Sequence, residues 1–179
     1  MPFQDNGSKA DVSVIDESDL IYKEYSSKVR TKVKLAIKED PTLAGPLLRF
    51  AFHDAAVVNN NRSRNNTEGS NGSIRYEMEW QENRGLSRNP LPYLERLNNE
   101  MSSLTPHEIS FADVVALAEA AAVEAAGGPH TSIKLGRSDV SKADPRILTI
   151  PVKGESDRSD VITSFTFCWF RQFRSTDIL

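Results

Sequence analysis

Leu47-Leu48-Arg49-Phe50-Ala51-Phe52-His53-Asp54-Ala55 contains no helix breaker and begins just after Pro46, so a buried helix is predicted from that point. At 3.6 residues per turn, Arg49 and His53 stand four apart, and Phe52 is three from Arg49. A cation, an imidazole and an aromatic ring therefore share one face of a helix whose other faces are aliphatic. Burying a charge is costly unless it is partnered. No carboxylate accompanies Arg49 on that face, which predicts that its charge is kept for a ligand.

Working outward, the apolar residues Ile21, Tyr25, Val29, Val33 and Ile37 recur every four positions. They predict a helix over 18–38, with Ser18 as N-cap and Asp40-Pro41 as terminator. The lysines and arginines between them read as a solvated face. Downstream, Asn59 to Asn71 is rich in Asn, Ser and Arg and reads as loop. Asn83 stands in a turn before Gly85. Ser110-x-x-Asp113 is a capping-box-like start to an alanine-rich run that Gly127-Gly128-Pro129 ends, and this run reads as the central buried helix. Within it, Glu119 and Glu124 are expected to face solvent or a partner charge. His107 and His130 read as surface histidines. Arg137 to Gly154 reads as irregular. A last helix over 159–173 carries Val161, Ile162, Phe165, Trp169, Phe170 and Phe173, with Cys168 as a small buried hydrophobe. The expected fold class is all-α.

Several of these stretches resemble one known family in its own order. Leu48-Arg49-Phe50-Ala51-Phe52-His53-Asp54-Ala55 resembles the distal haem helix of plant-type haem peroxidases, and is most similar to ascorbate peroxidase and its relatives. The similarity continues through Gly69-Ser70-Asn71-Gly72-Ser73-Ile74, Glu82-Asn83-Arg84-Gly85-Leu86, Ile109-Ser110-Phe111-Ala112-Asp113, Gly127-Gly128-Pro129 and Leu135-Gly136-Arg137-Ser138-Asp139.

The resemblance implies a haem-peroxidase-like helical fold and a site built from Arg49, His53 and Asn83, with Phe52 lining the haem pocket. It implies that Asn83 accepts a hydrogen bond from the second ring nitrogen of His53, which fixes the tautomer and leaves the first nitrogen as a base. The implied cofactor is haem b, and the implied reactants are hydrogen peroxide and a small reducing substrate. Calcium-binding relatives suggest a second cofactor. Asp54, Gly69, Asn71 and Ser73 match their calcium segment in layout, although Asn71 stands where a carboxylate is expected. The alternative for this segment is a loop pinned by Asp54 accepting backbone N–H groups. The family's ascorbate-holding lysine and cysteine fall on Pro41 and Leu43, so ascorbate contacts are not carried over.

The family's proximal histidine falls beyond Leu179, so the resemblance places residues 17–179 in the distal half of the fold, truncated before the proximal haem helix. Residues 1–16 read as a flexible terminus. Two consequences are expected: weak or absent turnover, and a C-terminal aromatic helix available as a partner surface. The competing expectation is a haem-free, peroxidase-derived helical module with an interaction role or none.

Composition bounds the rest. The 179 residues suit one domain, and the net charge of −3 gives no reason to expect nucleic acid or an anionic membrane as partner. Cys168 is the single cysteine, which excludes an internal disulfide framework and favours an intracellular, reducing compartment. The expected location is plastid or cytosol, with no targeting peptide or membrane span visible. Three Asn-x-Ser/Thr sequons, at Asn61, Asn65 and Asn71, carry little meaning without secretion.

Overall fold

The computed structural model describes residues 17–56, 70–104 and 109–144. Expectations for residues 1–16, the loop from Asn59 to Gly69, His107 and the aromatic helix holding Cys168 lie outside them. Four α-helices and three short 3-10 turns make up the regular structure of the described residues, as the all-α reading requires. No helix among them is long and apolar enough to cross a membrane.

Helix α1 spans Glu17–Glu39. Ser18 is therefore inside its first turn rather than capping it. Tyr25, Val29, Val33 and Ile37 are buried, as their spacing predicts, and the lysine-rich remainder stays largely at the surface. Asp40 closes α1 by donating its N–H to Ala36 O at 2.8 Å. The same residue opens the 3-10 turn Pro41–Leu43, its side chain accepting the Thr42 N–H at 3.0 Å.

Helix α2 follows directly over Ala44–Ala56, two residues before Pro46. The predicted start after Pro46 is therefore too late. Proline lacks only an N–H that has no intrahelical acceptor in a first turn, so it is accommodated there instead of marking the boundary.

Helix α3, Leu91–Ser102, was not anticipated from the sequence. Its buried positions, Leu94, Leu97 and Met101, follow a three-and-four spacing, but the stretch opens Leu-Pro and is otherwise polar.

Helix α4, Phe111–Ala125, is the centre of the fold and packs chiefly against α1 and α2. Ser110 caps it, its Oγ accepting the Asp113 N–H at 3.1 Å. Residues from Phe111 to Ala118 are all buried, and alanine lets the neighbouring helices approach closely. Phe111 meets Phe50 of α2 edge-on, ring centroids 6.2 Å apart. At the far end, Gly127 takes φ 88°, and Gly128 N–H reaches Val123 O at 2.9 Å while Gly127 N–H reaches Glu124 O at 3.1 Å. That pairing is a Schellman stop, and it explains the Gly-Gly.

The irregular segment 128–144 is tied back onto α4 by two carboxylates facing in opposite directions. Asp113 accepts from Gly136 N–H (2.7 Å) and from Arg137 through Nη1 (3.0 Å). Asp139 accepts from the N–H groups of Phe111 (2.8 Å) and Ala112 (2.9 Å) at the start of α4. Asp139 also pairs with Arg75 at 2.8 Å, whose guanidinium lies 4.2 Å from the Phe111 ring centroid. Ile109–Asp113 and Leu135–Asp139, recognised separately in the sequence, are thus halves of one lock.

Candidate active site

Helix α2 and the 3-10 turn Gln81–Asn83 assemble the site. His53 is buried on α2, and its Nδ1 is 2.6 Å from Asn83 Oδ1. The orientation of the Asn83 amide is fixed from its other end, because Nδ2 donates to Glu77 O at 3.0 Å. An amide that donates there must present its oxygen to the ring, so His53 Nδ1 carries the proton and donates. Nε2 is then the ring's lone-pair nitrogen, with no hydrogen bond among the described residues. Burial holds the His53 pKa below its ordinary value, Arg49 adds to that effect, and Asn83 and Glu82 oppose it. A neutral imidazole at pH 7 follows.

Arg49 does not hold its charge entirely for a ligand, as the helix face alone suggested. Its Nη2 donates to Glu82 O and its Nη1 to Arg84 O at 3.1 Å. Burial lowers its pKa, but a guanidinium stays charged. The acceptors are backbone carbonyls, and no side-chain pattern announces them. The short turn Gln81–Asn83 and its cap Arg84 therefore grip His53 and Arg49 of α2 at once, the first through a side chain and the second through carbonyls. Gly85, at φ 91°, lets the chain turn away into α3.

Phe52 is half-buried beside the imidazole, ring centroids 5.8 Å apart at 67°. Leu48, one turn before it, is 44 % exposed. An apolar stripe thus runs beside the Arg49–His53 stripe. The four residues singled out in the sequence, Arg49, Phe52, His53 and Asn83, are brought together.

The proposed calcium segment is arranged differently. Asp54 is fully buried and uses both carboxylate oxygens on the backbone, accepting from Gly72 N–H (3.1 Å) and Ile74 N–H (3.3 Å). Asn71 Oδ1 accepts from Ser73 N–H at 3.0 Å, and its Nδ2 donates to Asp144 at 3.0 Å. Burial pushes the Asp54 carboxyl up to about 7 despite those two N–H groups, with Glu77 and Asp144 adding to the rise. Burial likewise raises Glu77. Among the described residues no group of three or more His, Cys, Asp or Glu side chains is disposed to hold a metal ion. Gly69 lies outside them. Asp54 and Asn71 use side-chain oxygens to accept backbone N–H groups, as the loop-pinning alternative expects, while Ser73 Oγ is buried without a hydrogen-bond partner among the described residues.

Two acidic residues of α4 part company. Glu124 meets partner charges: Lys34 at 2.6 Å, His130 at 2.8 Å, and Arg30. Glu119 is half-buried; burial raises its pKa, and Arg137 opposes the rise. His130 is at the surface as expected, although engaged by Glu124.

Comparison with known proteins bears on the family and the fold. Residues 29–170 match the peroxidase family. The chain is 32% identical to the putative L-ascorbate peroxidase 6 of Arabidopsis thaliana, over 78% of this chain and 36% of that protein. It is 37% identical to peroxidase 46 of the same plant, over 62% of this chain and 32% of the relative. The crystal structure of the TL29 protein from Arabidopsis thaliana superposes with a TM-score of 0.68 at 27% identity, covering 82% of this chain and 68% of that one. The chain spans about a third of the length of these two curated relatives. With the family matched over most of its residues and the helical fold shared, this chain belongs to the plant-type peroxidase family.

Proposed function

We propose that this chain carries the peroxide-facing half of a haem peroxidase site and serves the reduction of hydrogen peroxide by a small electron donor. The observation that carries the reading is the His53–Asn83 pair: a buried, neutral imidazole whose one nitrogen is locked as donor and whose other is left as a base. A structural histidine in a core needs no such free lone pair.

The residues present fit a flat, mostly apolar cofactor laid against α2. Leu48 and Phe52 would contact its ring system, next to the polar stripe of Arg49 and His53. Haem, when bound, supplies the redox chemistry that cleaves peroxide. The chain's own contribution is proton handling and charge. His53 Nε2 takes a proton from one peroxide oxygen and returns it to the other, so that the departing oxygen leaves as water. Asn83 holds Nδ1–H throughout, keeping the lone pair on Nε2. Arg49 stabilises negative charge as the O–O bond breaks, from a guanidinium already ordered by the Glu82 and Arg84 carbonyls. Phe52 keeps water from the imidazole. No step is routed through calcium. The electron donor, the oxidative-stress role and a plastid or cytosolic setting belong to the same proposal, supported by the ascorbate-peroxidase relatives and the single cysteine.

Titration of the purified chain with haemin, followed by its Soret band, tests the reading. Saturable one-to-one binding that weakens or shifts its spectrum in Phe52→Ala is expected. Absence of saturable binding would leave the haem-free interaction module as the better account.

A further inference from the structure

A concave site lies away from the Arg49–His53 face of α2. The outer face of α1, the end of α4 and the irregular segment 130–135 line a cleft of about 800 Å³, into which neither Arg49 nor His53 projects. Its lining includes four fixed cations, Lys23, Arg30, Lys34 and Lys134, against one carboxylate, Glu124. Glu124 is already shared: Arg30, Lys34 (2.6 Å) and His130 (2.8 Å) all converge on it, and Arg30 also donates to Thr131 O at 2.5 Å. Burial pushes the Glu124 carboxyl upward, but these neighbours outweigh it and hold its pKa below the ordinary range. Its single charge is thereby spent on orienting the wall of the cleft.

Other cations of α1 are matched locally. Lys28 pairs with Glu24 at 2.6 Å, and Lys32 pairs with Glu100 at 2.5 Å. Lys23 and Lys134 have no such partner among the described residues, and both line the cleft. The surplus of three positive charges is thus confined to a concavity, where field lines are focused, rather than spread over a convex lysine-rich face. The hydroxyls of Ser26, Ser27 and Ser132 stand among the same residues.

We infer that this cleft binds a small organic phosphate. The volume is that of a metabolite site, ammonium groups act as point-charge partners for phosphate, and hydroxyl donors suit its remaining oxygens. The Arg30–Glu124–Lys34 cluster is the rigid wall, and Lys23 and Lys134 are the free cations that meet the anion.

Calorimetric titration of the full chain with inorganic pyrophosphate at fixed ionic strength tests this, with the His130 ring resonances as a local reporter. Saturable one-to-one binding that shifts His130 is expected. Lys23→Ala combined with Lys134→Ala should weaken it at least tenfold. Both lysines are exposed, so an unchanged melting temperature would show that the fold is intact. Non-saturable heats, or affinity unchanged in the double variant, would overturn the site. Malonate binding as tightly as pyrophosphate would overturn its assignment to phosphate.

Discussion

His53 Nδ1 and Asn83 Oδ1 approach to 2.6 Å across thirty residues of sequence, and the far end of the same amide is anchored on Glu77 O at 3.0 Å. The amide orients the imidazole and is itself held by backbone. Asn83→Ala removes both bonds and leaves a buried N–H and a carbonyl unmatched. We predict a loss of about 2–3 kcal/mol in unfolding free energy, measured by urea denaturation. In the same variant, ¹⁵N shifts of the His53 ring should report a mixture of tautomers in place of one.

Stability should depend on pH through two buried groups that act in opposite directions. Asp54 has its folded pKa raised to about 7, so the folded state binds more protons than the unfolded state between the ordinary carboxylate range and that value. Its contribution is fully present at low pH and is lost as pH rises towards 7. His53 has its folded pKa lowered, so its contribution is present above the ordinary histidine value and is lost as pH falls through the folded pKa. Asp54→Asn should therefore flatten the decline between pH 4 and 7 and leave the acid-side loss. Denaturation curves across pH 4–8 for both proteins check this, and an unchanged profile would count against a buried, proton-retaining Asp54.

The Asp113–Arg137 and Asp139–Phe111 contacts hold segment 128–144 against the first turn of α4. Asp113 is buried, and truncating it leaves the Gly136 N–H without its acceptor and Arg137 with only the Lys134 carbonyl. Asp113→Ala should cost about 2–3 kcal/mol. Asp139 is more exposed, and Asp139→Ala should cost about 1–2 kcal/mol, the usual range for losing a helix cap. Thermal or chemical denaturation of the pair gives the order, and a larger loss at Asp139 would contradict the burial argument.

Gly72 has φ 72°, and a Cβ there would stand 3.0 Å from Asp139 Oδ1 and 3.1 Å from Arg75 Nη2. Gly72→Ala should therefore strain the turn and disturb the Arg75–Asp139 pair together, costing about 1–3 kcal/mol. Gly45 lies in a helix with open space around its Cα, and Gly45→Ala should be neutral or slightly stabilising. Melting temperatures that move alike would contradict this contrast.

Much of this architecture was legible in residue spacing. The period-four apolar run of α1, the Ser110 cap and the Gly-Gly stop of α4 each rest on local chemistry that the chain displays, and each is realised. Spacing alone put Arg49, Phe52 and His53 on one helix face, but the approach of Asn83 was legible only through family resemblance, since thirty residues separate it from His53 and no periodicity connects them. What could not be read was mostly backbone. The carbonyls that hold Arg49 and orient Asn83 have no side-chain signature, and the early start of α2 depends on Asp40 capping a 3-10 turn that runs straight into it. Helix α3 escaped notice because its polar composition conceals three well-spaced buried residues. The two readings of Asp54 were inseparable for a related reason: a carboxylate that pins a loop through N–H groups and one that ligates a cation can share a single sequence pattern.

The most direct test of the central claim is the rate of hydrogen peroxide consumption by the haemin-loaded chain compared with its His53→Ala variant. If His53 Nε2 is the base that moves the peroxide proton, the variant should be slower by about 10²-fold or more. Equal rates in the two proteins would mean that the Asn83-locked imidazole is a structural feature of the core, with no part in peroxide chemistry.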